Sequence, residues 1–124
     1  MSRTAPPPAT VWRWSACFQA GQLDECERLA RELVRDCADA GKAWQLLGMS
    51  RFARGDLAAA ATHLRRAVAL ELGDRSIWDN LGIVLQKSGD HAGAREAFRT
   101  ALALAPAAAG IWSRMRLWII ESIP

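Results

Sequence analysis

Trp44-Gln45-Leu46-Leu47-Gly48 and Trp78-Asp79-Asn80-Leu81-Gly82 open two stretches of chain that match column by column at an offset of 34 residues. The first continues through Gly55-Asp56-Leu57, Ala60, Leu64, Ala67 and Leu72. The second continues through Gly89-Asp90-His91, Ala94, Phe98, Ala101 and Pro106. A fixed period of this length marks a stacked helical-hairpin repeat. Each unit holds two apolar helical patterns, and the Gly-Asp pair ends the first and caps the second. Gly48 with Ala60, and Gly82 with Ala94, fall where two antiparallel helices approach closely. Ala67 and Ala101 let the next hairpin dock.

These columns resemble the tetratricopeptide repeat, whose pattern is W-x2-L-G-x2-Y, then A-x3-F, then P. One unit has Leu85 in the Tyr column and closes on Pro106; the other has Arg51, Leu64 and Leu72 in the Tyr, Phe and Pro columns. The resemblance implies an all-α fold, a right-handed superhelical stack of antiparallel helix hairpins with about three repeats and a C-terminal helix. The expected organisation is a disordered Pro-rich lead-in over 1–8 and a repeat domain over 9–108. Its units run at 7–40, 41–74 and 75–108, and a C-terminal helix over 109–124 either caps the stack or begins a further, truncated repeat.

The first unit is worn. Gly21, Phe18, Leu23 and Val34 keep their columns, but Thr10 stands in the Trp column and Trp14 in the column of Gly48 and Gly82. Cys26 and Ala30 stand where the later units have Ala and Leu or Phe. A bulky Trp14 facing small partners reads as a large-for-small exchange that conserves volume. At the other end Trp112 resumes the Trp column, and Ile111, Trp112, Met115, Trp118 and Ile119 form one apolar face. Leu117 and Ile120 add a second apolar side, so weak self-association through Leu117, Trp118 and Ile120 is expected.

Composition agrees with an all-α domain: 124 residues, 51% hydrophobic, with a net charge of +3. No apolar run reaches the length of a membrane span, and no membrane partner is expected. The N-terminal residues lack the apolar core of a secretory signal, and the expected location is the cytoplasm. Arg over Lys and abundant Ala suggest a bacterial, GC-rich source. Cys17, Cys26 and Cys37 read as reduced, half-buried small hydrophobes, and no Cys/His spacing suits a metal. Arg28, Arg31 and Arg35 share a helix face with Glu25, Glu27, Glu32 and Asp36, a mixed-sign solvated surface rather than a nucleic-acid stripe.

No catalytic motif is present: no GxxxxGK[ST], GxSxG or HExxH. His91 reads as a packing residue and His63 as solvent-facing. The expectation is a non-enzymatic protein-interaction scaffold without a cofactor or metal. The resemblance implies a concave groove lined by the first helix of each hairpin. The groove residues are then Val11, Ser15, Phe18 and Gln19; Lys42, Gln45, Met49 and Phe52; and Ser76, Asp79, Asn80, Ile83, Gln86 and Lys87. Met49 and Phe52 are the expected apolar anchors for a peptide or partner helix. The family's chaperone-tail clamp needs Lys and Asn where this chain has Val11, Ser15, Leu46, Ser76 and Asn80. Its asparagine ladder keeps one rung, Asn80, against Trp12, Leu46 and Arg114. Alternatives are the repeat segment of a larger glycosyltransferase-like or sulfotransferase-like enzyme, or an assembly or secretion chaperone.

Overall fold

Six helices make up the regular structure of the computed structural model, which describes residues 6–104: α1 (Pro8–Gln19), α2 (Leu23–Asp36), α3 (Gly41–Ala53), α4 (Leu57–Leu70), α5 (Arg75–Lys87) and α6 (His91–Leu104). They form an all-α stack of three hairpins, α1–α2, α3–α4 and α5–α6, with no strand among the described residues. Pro7 precedes the first turn and Pro8 opens it, where a missing N–H costs nothing. Thus the last residues of the expected lead-in border or begin α1. Residues 1–5, Pro106 and the whole C-terminal segment with Trp112, Leu117, Trp118 and Ile120 lie outside the described residues.

Every hairpin turns in the same way. Gly21, Gly55 and Gly89 have φ of 75°, 85° and 93°, a left-handed conformation that a side chain would strain. In each, the residue after glycine donates its N–H to the carbonyl five positions back: Gln22 to Cys17, Asp56 to Arg51 and Asp90 to Leu85, at 2.9–3.0 Å. That bond closes the first helix and aims the chain into the second. Asp56 and Asp90 then cap the next helix, accepting from the N–H of Ala59 at 3.1 Å and Gly93 at 2.9 Å. Gln22 has nearly the same backbone geometry as Asp56 but makes no side-chain cap.

The tryptophan column has an equally mechanical role. Trp44 Nε1 donates to Ala38 O at 2.8 Å, and Trp78 Nε1 donates to Leu72 O at 2.9 Å. Each indole therefore ties the loop that enters its own hairpin. Within a hairpin the close approach rests on glycine. A Cβ on Gly48 would lie 2.9 Å from Leu64 Cγ, and one on Gly82 would lie 2.7–2.8 Å from three atoms of the Phe98 ring. In the first hairpin the sizes are reversed, with Trp14 buried among Cys26 and Ala30 in one core cluster.

Two core clusters share the interior. One joins α1, α2 and the start of α3 around Trp14, Leu29, Leu33 and Leu46. The other joins α4, α5 and α6 around Leu64, Ile77, Val84 and Phe98. Trp44 and Met49 of α3 pack against both. Helix α3 buries residues all around its circumference, including Ala43, Gln45, Leu46, Leu47 and Ser50, as expected of a helix flanked on both sides.

Two substitutions check this account. Gln22→Asp restores the missing cap and is expected to raise the unfolding free energy by about 0.5–1 kcal/mol, measured by urea denaturation. Trp14→Gly empties the exchanged position and places glycine in mid-helix, for an expected loss of about 4 kcal/mol. An unchanged midpoint for the second variant would dispose of the volume exchange.

Candidate interaction groove

The first helices α1, α3 and α5 stand side by side because each hairpin repeats the last, and their facing surfaces enclose a pocket of about 290 Å³. Its lining is Val11, Trp14, Ser15 and Phe18 from α1, Lys42, Gln45, Leu46 and Met49 from α3, and Asn80 from α5. Seven residues named from the repeat columns meet here: Val11, Ser15, Phe18, Lys42, Gln45, Met49 and Asn80. Trp14 and Leu46 line the pocket too, although the sequence reading did not place them among the groove residues. Trp14 was legible as a departure from its glycine column, and Leu46 as the residue in register with Asn80.

The remaining expected groove residues lie elsewhere. Phe52 is half-buried and packs against the second core cluster, beyond the pocket lining. Ile83 does the same on α5. Gln19, Ser76 and Lys87 are exposed; Asp79 and Gln86 are half-buried, and Asp79 Oδ2 is 3.7 Å from Arg75 Nε.

The pocket wall is held by hydrogen bonds between first helices. Trp14 Nε1 donates to Ser50 Oγ at 2.9 Å, and Ser50 donates onward to Leu46 O at 2.8 Å. The Trp14 ring stacks on Phe18 with centroids 4.8 Å apart. Gln45, with 5% of its surface exposed, donates Nε2–H to Ser76 Oγ at 3.2 Å. Ser76 Oγ–H donates to Asp74 Oδ1 at 2.7 Å, so its one proton is committed and it can only accept from Gln45. The amide is thereby oriented, and its Oε1 is left buried without a donor. An unpaired buried acceptor costs about 1–3 kcal/mol.

Charge gathers away from the pocket. Glu27, on α2, accepts ion pairs from Arg31 (3.3 Å), Arg51 (3.3 Å) and Arg54 (3.6 Å), and Arg54 also reaches Asp24, which joins the first two hairpins. Arg28 is bound to Glu25 and to Glu32, holding the Glu25 carboxyl below its usual value of 4.5. The arginines read as a mixed solvated surface are therefore exposed and paired with carboxylates, Arg35 with Asp36 at 3.6 Å.

Both histidines differ from expectation. His91, the first residue of α6, is exposed rather than packed, whereas Leu57 in the same column of the preceding hairpin packs against the core. His63 is half-buried rather than solvent-facing, its ring 5.8 Å from the Trp44 ring, which Arg66 Cζ overlies at 5.0 Å. Cys26 and Cys37 are buried and Cys17 half-buried, and none of the three is in a disulfide; burial pushes the Cys26 thiol up, with lesser effects from Cys17 and Glu25. Among the described residues, no three His, Cys, Asp or Glu side chains gather to hold a metal, and no helix is long and apolar enough to cross a membrane.

Family models described as Tetratricopeptide repeat match residues 76–108, and residues 15–32 and 43–66, which together make up more than half of the chain. No curated protein matches the sequence significantly. The Sgt2 TPR domain from Aspergillus fumigatus superposes with a TM-score of 0.84 at 15% identity, covering 98% of this chain and 82% of that one. The Yersinia enterocolitica type III secretion chaperone SycD, in complex with a peptide of the translocator YopD, gives 0.80 at 14% identity, covering 91% and 90%. An O-GlcNAc transferase from Thermobaculum terrenum gives 0.79 at 30% identity, covering 90% of this chain but 21% of that one.

His63 supplies a pH test. Burial lowers its pKa from the ordinary 6.5, Arg51 and Arg31 lower it further, and Asp56 and Glu27 partly oppose them. The unfolded chain then binds this proton more readily than the fold does. The stability associated with the neutral ring is complete above the unfolded value and is lost as pH falls from 6.5 toward the folded value. Glu25 titrates below this window, its contribution being lost as pH falls from 4.5. His63→Gln is expected to flatten the fall in urea midpoint between about pH 7.5 and about pH 5.5; an undiminished fall would assign it to other groups.

Proposed function

The chain belongs to the tetratricopeptide-repeat family, and from that premise we propose that it is a protein-interaction module holding a peptide or partner helix in its concave groove. Repeats of this family are typically non-catalytic. The observation that carries the reading is the pocket to which three successive first helices contribute side chains. Val11, Phe18, Leu46 and Met49 offer an apolar seat, while Ser15, Lys42, Gln45 and Asn80 surround it with polar groups. A few convergent polar groups around an apolar concavity are what a binding site requires. The volume of about 290 Å³ is at the small end for ligand pockets and suits a single anchoring side chain. Met49 is the anchor the groove retains, with Val11 and Phe18 beside it in place of Phe52.

SycD, similar in fold, was solved with a translocator peptide, which supports a peptide as occupant here. The same relative favours the assembly or secretion chaperone as a role. A second reading rests on the O-GlcNAc transferase, of which this chain would correspond to a repeat portion. The groove would then present a protein substrate to a catalytic domain. Blotting source cells with an antibody against residues 41–106 separates the two, since a far larger band favours the second.

A photo-reactive amino acid at Met49 or at Asn80 is expected to cross-link the same partner in cells, and one at exposed Trp12 is not. Met49→Glu places a charge in the apolar seat and is expected to weaken that partner's binding by about 1–3 kcal/mol. Undiminished binding by this variant would rule out the groove.

A further inference from the structure

Gln45 carries one more step. It lines the pocket, is almost wholly buried, and leaves Oε1 without a donor. Its orientation is fixed by the chain of bonds through Ser76 to Asp74, so the amide cannot be turned over without breaking a hydrogen bond. A buried acceptor held unpaired in this way is a cost to the fold that a ligand's donor can remove.

We infer that Gln45 is the specificity-determining acceptor of the groove: Oε1 receives an N–H from an extended peptide segment, beside an apolar side chain seated against Val11, Phe18 and Met49. The inference rests on the groove reading above. It also decides between the two occupants that reading allows. Inside a helix each main-chain N–H is already bonded to the carbonyl four residues back, so a docked helix has no interior N–H to give. An extended segment presents free N–H groups at every residue but proline. Oε1 is shielded from water in the unbound chain. Side chains of the pocket lining therefore give way as the segment enters. The stabilised amide and the apolar seat together ask for a neutral main-chain donor next to a Leu-, Met- or Phe-sized side chain.

The test uses the full chain and a random peptide library displayed on phage. Selected peptides that lose binding to Met49→Glu are synthesised with each main-chain nitrogen methylated in turn, which removes one N–H and keeps the side chains. One position, next to the apolar anchor, is expected to lose at least about tenfold in affinity, the loss of one good hydrogen bond. In Gln45→Met the same methylation is expected to cost less than about twofold, because the acceptor is gone. Ser76→Ala leaves Gln45 in place but frees its amide, and an intermediate loss is expected from unmethylated peptide. Thermal melts of both variants check that they fold.

Equal losses in wild type and Gln45→Met, or tolerance of methylation at every position, would overturn the role of Gln45 while leaving the groove in place. Peptides that bind as helices would do the same. Selected peptides that bind Met49→Glu as tightly as wild type, or a library that yields none, would overturn the groove reading and this inference with it.

Discussion

Two helices lie close and antiparallel only if one of them withholds its side chain at the crossing. In this chain the withheld side chain is Gly48 against Leu64 and Gly82 against Phe98, with less than 3 Å for any added carbon. Everything else is arranged around that contact. The left-handed glycine and the bond across it return the second helix at the required angle. The tryptophan tie to the preceding loop sets where the next pair begins. Because the same contact recurs at the same offset, the first helices come into line, and their alignment is what makes a groove.

The first hairpin meets the constraint with the sizes interchanged, and the interchange has a consequence for the site. Trp14 occupies a glycine column, yet it is largely buried because Cys26 and Ala30 leave room for it. Its indole reaches Ser50 on the neighbouring first helix and its ring supports Phe18. A position that is bare in the later hairpins thus becomes part of the pocket wall in this one. The wear in the repeat and the shape of the site have one cause.

The architecture was legible because it depends on residues that repeat. Gly55-Asp56 and Gly89-Asp90 announce a turn and a cap by chemistry that needs no neighbour, and the Trp, Gly and Ala columns recur without reference to anything distant. Seven of the residues that line the pocket came from the same register. What remained hidden depends on pairs drawn from different hairpins: Gln45 with Ser76, at a separation of 31, and Trp14 with Ser50, at 36. Those separations are one repeat plus or minus a few residues, so a search for polar pairs near the repeat length would have found them. His63 was misjudged for a related reason. Its neighbour Trp44 is assigned by the crossing of α3 and α4, which no single-helix pattern encodes. Phe52 was placed in the groove by column, but its neighbours draw it to the core.

The turns and ties described here share a property that bears on how the chain reaches its fold. Each left-handed glycine is closed within its own hairpin, the Trp44 and Trp78 indoles each bind a carbonyl six residues behind them, and the inter-hairpin bonds span about one repeat. No pairing of this kind waits for a distant part of the chain. On the ribosome, α1 and α2 find their partners once α3 has emerged, and each later hairpin docks on a surface already formed. Short-range topology of this sort lowers the entropy of closure before the transition state and favours fast folding. The groove is then complete when the third first helix arrives, while later residues are still being added.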